Sequence, residues 1–247
     1  VFFQEIDNYE NIFFMTPQRL LRKKILFDYQ FFSTGANSLD KKFLDFVDIK
    51  KSYSQSCLTF KVSLRGHCEK RAYEIFRKEG PLALLPLEKN LYQVIWTSST
   101  LKAIERLNSD KNFLMDNLST ILPDEFKLDQ IIGEFNIFPV SLSLNLPVLN
   151  FKKLVFVGDA FHTFHPVGGQ GLNTCWRDVN TIYDLFNKNN AITKMELILF
   201  KFKYFSSRIL DIIFTIFITD SLILIFANKN VFLFPIRKFS FLLLNKF

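Results

Sequence analysis

Cysteine, histidine and glycine are all scarce in this 247-residue chain, which has three Cys, three His and eight Gly. Cys57, Cys68 and Cys175 form no pair at a metal-ligand spacing and no disulfide framework, which argues against a zinc module and a stapled secreted scaffold. A reducing compartment on the cytoplasmic side is the corresponding expectation. The chain begins at Val1, and no charged leader followed by a short apolar core is read there, so no signal peptide is expected. Acidic residues are outnumbered, 24 against 31 Lys and Arg, for a formal net charge of +7. No basic run interleaved with aromatics marks a nucleic-acid surface, and no nucleic-acid partner is expected. The charge excess instead suits a solvated surface, an anionic membrane face or an anionic cofactor.

Hydrophobic residues are plentiful at 49%, so the chain can bury a core and is not a disordered tail. The 31 Phe carry no functional weight singly, since Phe, Lys, Ile and Asn are abundant together, as in a coding genome poor in G and C. One stretch, Ile209 to Phe226, invites a transmembrane reading. Asp211 and Asp220 fall inside it, and a charge at a helix centre costs about 3 kcal/mol on insertion scales. A buried or interfacial helix pair is the expectation, with the C-terminal region a set of helices interrupted near Asn228 and Pro235.

Upstream, Tyr29–Phe32 and Tyr53–Leu64 read as strands. Glu69–Lys78, with Ala72, Ile75 and Phe76 at helical spacing, reads as a helix. Leu82–Leu87 and Leu91–Thr97, joined by Glu88-Lys89-Asn90, form an expected β-hairpin. Leu101–Leu118 reads as helical, and Ile137–Leu149 as extended, with Pro139 and Pro147 restricting it to edges. Trp96 and the Pro81–Leu87 run either wall a substrate cavity or are ordinary core.

The clearest unit follows. Leu154-Val155-Phe156-Val157 has the continuous apolarity of a doubly buried strand, and Gly158-Asp159 ends it. A glycine-rich loop then opens a helix near Gly171, whose Leu172, Cys175, Trp176, Val179, Tyr183 and Phe186 make one apolar face. Strand, Gly-Asp, glycine loop and helix together can hold a polyol and an electron-poor ring. The Asp159 carboxylate accepts hydroxyl hydrogen bonds, or else merely caps its turn. Glycines let the main chain approach a flat ring, and the helix start favours negative charge. His162 and His165 stand at i, i+3 with no third ligand near them in sequence. No metal is expected there, no catalytic residue is assigned, and both histidines are read as orienting the loop.

The run from Gly158 to Asn173 resembles the GDAAHxxxPxxGQGxN signature of FAD-dependent aromatic-ring monooxygenases, and Arg177-Asp178-Val179 continues it. Ala72-Tyr73-Glu74-Ile75-Phe76, Gly80 to Leu87 and Trp96-Thr97 are similar to the middle of the ubiquinone-biosynthesis hydroxylases of the UbiH/UbiF type. Gly35-Ala36-Asn37-Ser38 resembles the end of that family's DGANS segment, with Thr34 in place of its Asp. Thr219-Asp220 and Phe226-Ala227-Asn228 fit as well. The family's opening GxGxxG turn, which holds the ADP half of FAD, has no match here, so the chain is expected to lack roughly its first third.

The resemblance implies an α/β fold: a partial Rossmann-like FAD-binding domain, an inserted β-sheet substrate domain and a helical C-terminal tail. The expected division is 1–50 and 151–187 for the FAD-binding part, 51–150 for the substrate domain and 188–247 for the tail. It implies FAD contacts by Gly158, Asp159, Pro166, Gly168, Gly169, Gln170, Gly171, Leu172 and Asn173, the last at the flavin pyrimidine edge. The implied reaction is hydroxylation of a polyprenylated phenol or quinol ring in ubiquinone-type biosynthesis, with NAD(P)H and O2. Peripheral association with the cytoplasmic side of a membrane and a quinone-biosynthesis complex are expected with it. A flavin-dependent isoprenoid reductase or cyclase, which shares the Gly-Asp loop, and an inactive gene fragment stay open as alternatives.

Overall fold

The computed structural model describes residues 11–16, 19–24, 30–36, 46–66, 71–147, 154–187, 194–227 and 230–244. In chain order the elements are β1 (Asn11–Thr16), β2 (Arg19–Lys24), β3 (Gln30–Phe32), β4 (Phe46–Gly66), β5 (Tyr73–Ile75), β6 (Leu82–Glu88) and β7 (Leu91–Ser99). Helices α1 (Thr100–Leu107) and α2 (Lys111–Ser119) precede β8 (Phe126–Pro147), β9 (Leu154–Phe156) and β10 (His162–Thr163). Three helices follow, α3 (Gln170–Phe186), α4 (Lys194–Phe226) and α5 (Phe234–Leu244). The chain divides into two compact units, one of Val1–Lys51 with Leu142–Ile216 and one of Ser52–Ser141 with Phe217–Phe247.

The second unit is built on an antiparallel sheet in which β8, β4, β7, β6 and β5 are successive neighbours. Alternate residues of β4 (Leu58, Phe60, Val62, Leu64), β6 (Leu82, Leu84) and β7 (Tyr92, Val94, Trp96) are buried together, with Leu114 and Leu118 of α2 packed among them. The period of two is what puts a one-sided core on a pleated surface, and each such side chain contributes about 1.5–3 kcal/mol by leaving water. Asn90 sits in the left-handed region at the β6–β7 turn, a conformation that Asn adopts more readily than most side chains. Gly80 enters the hairpin at φ +138°, where an added Cβ would meet the Thr97 carbonyl oxygen at 2.6 Å. Trp96 is fully buried, with the Arg106 guanidinium 4.1 Å from its ring centroid, so of its two readings the structure gives core.

Several expectations are corrected here. The described part of the 69–78 segment is not helical: Tyr73–Ile75 is a strand, paired Tyr73↔Leu84 and Ile75↔Leu82 with β6. Tyr73 packs edge-on against Phe126 at 5.0 Å, and an aromatic and a β-branched residue flanking Glu74 suit that half-buried sheet edge better than a helix. Glu69 and Lys70 lie outside the described residues, as do Tyr29, Cys68 and Asn228. Leu101–Leu118 is two helices, broken where the Asp110 side chain accepts the Asn112 N–H and caps the second. Ile209–Phe226 is no helix pair but the end of one 33-residue helix, about 50 Å long. At Pro139 β8 has β4 alone beside it among the described residues, a setting that tolerates proline.

In the first unit, β3 and β9 run parallel with Phe32 opposite Phe156. Phe32, Val155, Phe156, Val157, Ala160 and Phe161 form its core with Phe200, Tyr204 and Ile212 of α4. Leu197, Phe200, Tyr204, Arg208, Ile212 and Thr215 are a buried stripe of α4 within this unit, at the three- and four-residue steps of a helix face, with Lys201 buried beside it.

Candidate functional site

All of the site lies in the first unit. Strand β9 delivers the chain through Val157 into the tight turn Gly158–Ala160. Gly158 has φ +61°, and an added Cβ would lie 3.0 Å from Cys175 Sγ, so both conformation and space call for glycine. Behind the turn, Asn145 donates from Nδ2 to Ala160 O at 2.6 Å and from its backbone N–H to Phe161 O at 2.8 Å. These bonds tie down the apolar side of the turn, leaving Asp159 exposed on the other.

The loop that follows is fixed by its own backbone. His165 Nδ1 accepts the Val167 N–H at 3.1 Å, and Pro166 O accepts the Gly169 N–H at 3.0 Å. Gly168 and Gly169 have φ +76° and +58°, and a Cβ on either, or on Gly171, would meet nothing within 4 Å. A bare, open stretch of main chain therefore runs into the start of α3, where the first N–H groups lack intrahelical partners and the helix dipole is positive. Gln170 donates to Gly168 O at 3.1 Å, and Asn173 donates to Gln170 Oε1 at 3.4 Å.

A cavity of about 460 Å³ opens beside the turn, lined by Ser33, Gly35, Val157, Gly158, Asp159, Gly171, Leu172, Cys175 and Val179. Of the FAD contacts that the resemblance implies, Gly158, Asp159, Gly171 and Leu172 line it. Pro166, Gly168, Gly169, Gln170 and Asn173 form the loop and helix start adjoining it in sequence, without lining it.

Residues 35–188 match the family model described as FAD binding domain. The chain belongs to that family. FAD-binding-domain relatives include the 3-demethoxyubiquinol 3-hydroxylase of Escherichia coli, 28% identical over 151 residues, which cover 61% of this chain and 38% of that protein. The mitochondrial ubiquinone biosynthesis monooxygenase COQ6 of Dictyostelium discoideum is 24% identical over 255 residues, 85% of this chain and 51% of its own. The chain thus spans about half or less of the length of these relatives. Among solved structures, the OxyS anhydrotetracycline hydroxylase from Streptomyces rimosus superposes with a TM-score of 0.65 at 15% identity, over 97% of this chain and 47% of that one. That likeness shows the fold alone, a mixed α/β one.

The residues present fit the flavin half of FAD. Gly35 and Gly171 leave open space at the cavity wall, the exposed Asp159 carboxylate can accept hydrogen bonds from a polyol, and the α3 start can support negative charge on a ring edge. Cys175, half-buried in the same wall, has its thiol pushed up by burial and then by the Asp159 and Asp178 charges, which keeps it a neutral lining group at pH 7. Among the described residues no cluster of His, Cys, Asp and Glu could hold a metal.

Sequence reasoning missed the group behind the turn. Of the apolar stripe of α3, Leu172, Trp176, Val179 and Tyr183 are exposed and Cys175 and Phe186 half-buried, while the fully buried residues of that helix are Thr174 and Asp178. Asp178 accepts the Gly158 N–H at 2.9 Å and His162 Nε2–H at 2.8 Å on one oxygen and Arg208 Nε–H at 2.7 Å on the other. Burial pushes the Asp178 carboxyl up, but His162, Arg208 and the Gly158 N–H outweigh it and hold the group below the usual carboxylate range. Arg208 further donates to Thr174 O and to Asp211, which also takes Arg177. The signal was available: Thr174 and Asp178 stand at i, i+4 off the apolar stripe, and Arg208 stands at the edge of a long apolar run.

Proposed function

We propose that the protein is a flavoprotein monooxygenase that hydroxylates a polyprenylated phenol or quinol ring in ubiquinone-type biosynthesis. The observation that carries this reading is the Gly158–Asp159 turn with its open glycine loop and cavity, in a chain of the FAD binding domain family. The names of the Escherichia coli and Dictyostelium relatives supply the substrate class. When bound, FAD supplies electrons taken from NAD(P)H and activation of O2. This chain's residues would bind and orient it: Asp159 would accept from the ribityl chain, Gly158, Gly168, Gly169 and Gly171 would keep side chains clear of the ring, and the α3 start with Gln170 and Asn173 would support negative charge on its pyrimidine edge. Pro166 and Leu172 shape the loop and wall. His162 and His165 hold the loop rather than move protons to substrate. We assign residues 51–150 as the substrate domain, of which 52–141 fall in the second compact unit.

Peripheral membrane contact belongs to the same reading. Helix α4 is long and apolar enough to cross a membrane, and its most apolar window is only 17% buried. Yet its Arg208 is buried in the ion network behind the turn, which suits a helix docked on protein along one face better than a spanning one. Leu210, Ile213, Phe214 and Phe217 of α4 are exposed, as are Phe234, Phe239 and Leu242 of α5 beside the basic Arg237 and Lys238. Apolar groups with basic neighbours suit an anionic leaflet on the cytoplasmic side and an isoprenoid-tailed substrate.

The test is incubation of FAD-loaded protein with NAD(P)H, ¹⁸O2 and a polyprenylated phenol, read by mass spectrometry. Incorporation of one labelled oxygen supports the hydroxylase. Addition of two hydrogens without label would instead identify an isoprenoid reductase, and no product would leave an inactive fragment.

A further inference from the structure

The Asp178 carboxylate is fully buried, does not line the cavity, and has both oxygens engaged by donors. It therefore offers nothing to a ligand directly. What it does hold is the amide of Gly158, the residue that turns the chain so that Asp159 faces the cavity. The turn's remaining bonds hold other groups: the Phe161 N–H donates to Gly158 O at 2.7 Å, and Asn145 holds the Ala160 and Phe161 carbonyls, which leaves the Gly158 amide to Asp178. A left-handed glycine has many alternatives open to it, and one charge-assisted bond from a neighbouring helix selects among them. The carboxylate is itself aimed from two sides: Arg208 comes from α4, and His162 comes from the far end of the turn, two ring contacts at 5.2 and 5.0 Å fixing that imidazole against Phe161 and Phe164. The other ring nitrogen of His162, Nδ1, has no partner among the described residues. The histidine is thus oriented inward, toward Asp178, and not toward the cavity.

We propose that Asp178 is a positioning residue for the flavin, setting the Gly158–Asp159 turn from behind, with Arg208 of α4 as its clamp. The proposal rests on the reading of the cavity as a flavin site. It makes the geometry of the Asp159 carboxylate depend on a residue of α4, an element remote in sequence that contributes nothing to the cavity lining.

The test compares the unaltered protein with Asp178→Asn and Arg208→Lys by single-residue hydrogen exchange without FAD, and by FAD titration. Whichever way the introduced side-chain amide is rotated, its NH2 opposes an N–H donor, so Asp178→Asn should break one side of the junction while keeping its shape. Faster exchange at the Gly158 and Phe161 amides is expected, with the Val157 amide, bonded to Phe32 O in the neighbouring strand, left protected. FAD affinity should fall by about tenfold or more, the scale on which residues behind a binding group act. Arg208→Lys, which keeps the charge but loses the forked geometry, should give an intermediate loss, and it carries the comparison if Asp178→Asn does not fold. Exchange that quickens equally at Gly158, Phe161 and Val157 would mean a general structural role and overturn the proposal, as would no change at the turn. Absence of saturable FAD binding by the unaltered full-length protein would overturn the flavin reading, and is distinguishable because the turn amides would still respond to Asp178→Asn.

Discussion

Gly158→Ala tests whether the turn is held by conformation, by contact, or by both. The residue has φ +61°, which costs an L side chain about 1–2 kcal/mol. Its new Cβ would also meet Cys175 Sγ at 3.0 Å, closer than ordinary contact, and the half-buried thiol would have to yield by a few tenths of an ångström. Mild overpacking of that kind costs about 1 kcal/mol, the low end for inserted methyl groups, because Cys175 opens onto the cavity and can move. The substitution should therefore destabilise the protein by about 2–3 kcal/mol. The two parts separate in a double-mutant cycle with Cys175→Ala, read by urea unfolding followed by circular dichroism. Removing the thiol should relieve the contact and leave the backbone strain, giving a favourable coupling of about 1 kcal/mol. A coupling below about 0.3 kcal/mol, the usual error of additivity, would refute the steric half of the reasoning. A total effect under about 1 kcal/mol would refute the strained-turn half.

Asp159→Ala should weaken FAD binding by about 10- to 150-fold, the loss of a charge-assisted bond of about 1.5–3 kcal/mol, with little change in the unfolding midpoint because the side chain is exposed. Unchanged affinity in a fluorescence titration would remove Asp159 from the site. Because the folded Asp178 carboxyl is held low, its contribution to stability is complete above the unfolded value of about 4 and is lost as the pH falls through the folded one. Asp178→Asn should accordingly flatten the acid limb of a stability–pH profile, and an unaltered limb would count against the network. In the other unit, burial and then the bond to Asp220 raise the Tyr53 phenol, so its contribution is complete below pH of about 10 and fades as the pH rises through the folded value. Tyr53→Phe should show no such alkaline loss in the same titration. Flotation with anionic liposomes should carry the protein up at low salt and release it at high salt. Protein that stays at the bottom at low salt would sink the membrane reading, and protein that floats but resists carbonate extraction would sink the peripheral one.

Local pattern carried much of this protein's design. The β6–β7 hairpin, the strand Leu154–Phe156, the Gly158-Asp159 turn and the helix opening near Gly171 are specified by residues close to one another in sequence, where apolar runs, turn-forming glycines and helical spacing act directly on the backbone. Periodicity misled where neighbours in space overrode it. Tyr73–Ile75 has helix-compatible spacing, but an open sheet edge beside β6 satisfies its backbone and packs Tyr73 on Phe126. The stripe of α3 could be read from its three- and four-residue steps, yet no step in sequence says which face a helix turns inward. That was decided by Arg208, thirty residues further on, and by His162, sixteen residues back, whose donors are satisfied only if Asp178 and Thr174 face the interior. A buried charge must find its partner, and that partner belongs to another element, so the i, i+4 spacing of Thr174 and Asp178 marks only candidates, and tertiary structure alone makes the junction behind the Gly158–Asp159 turn.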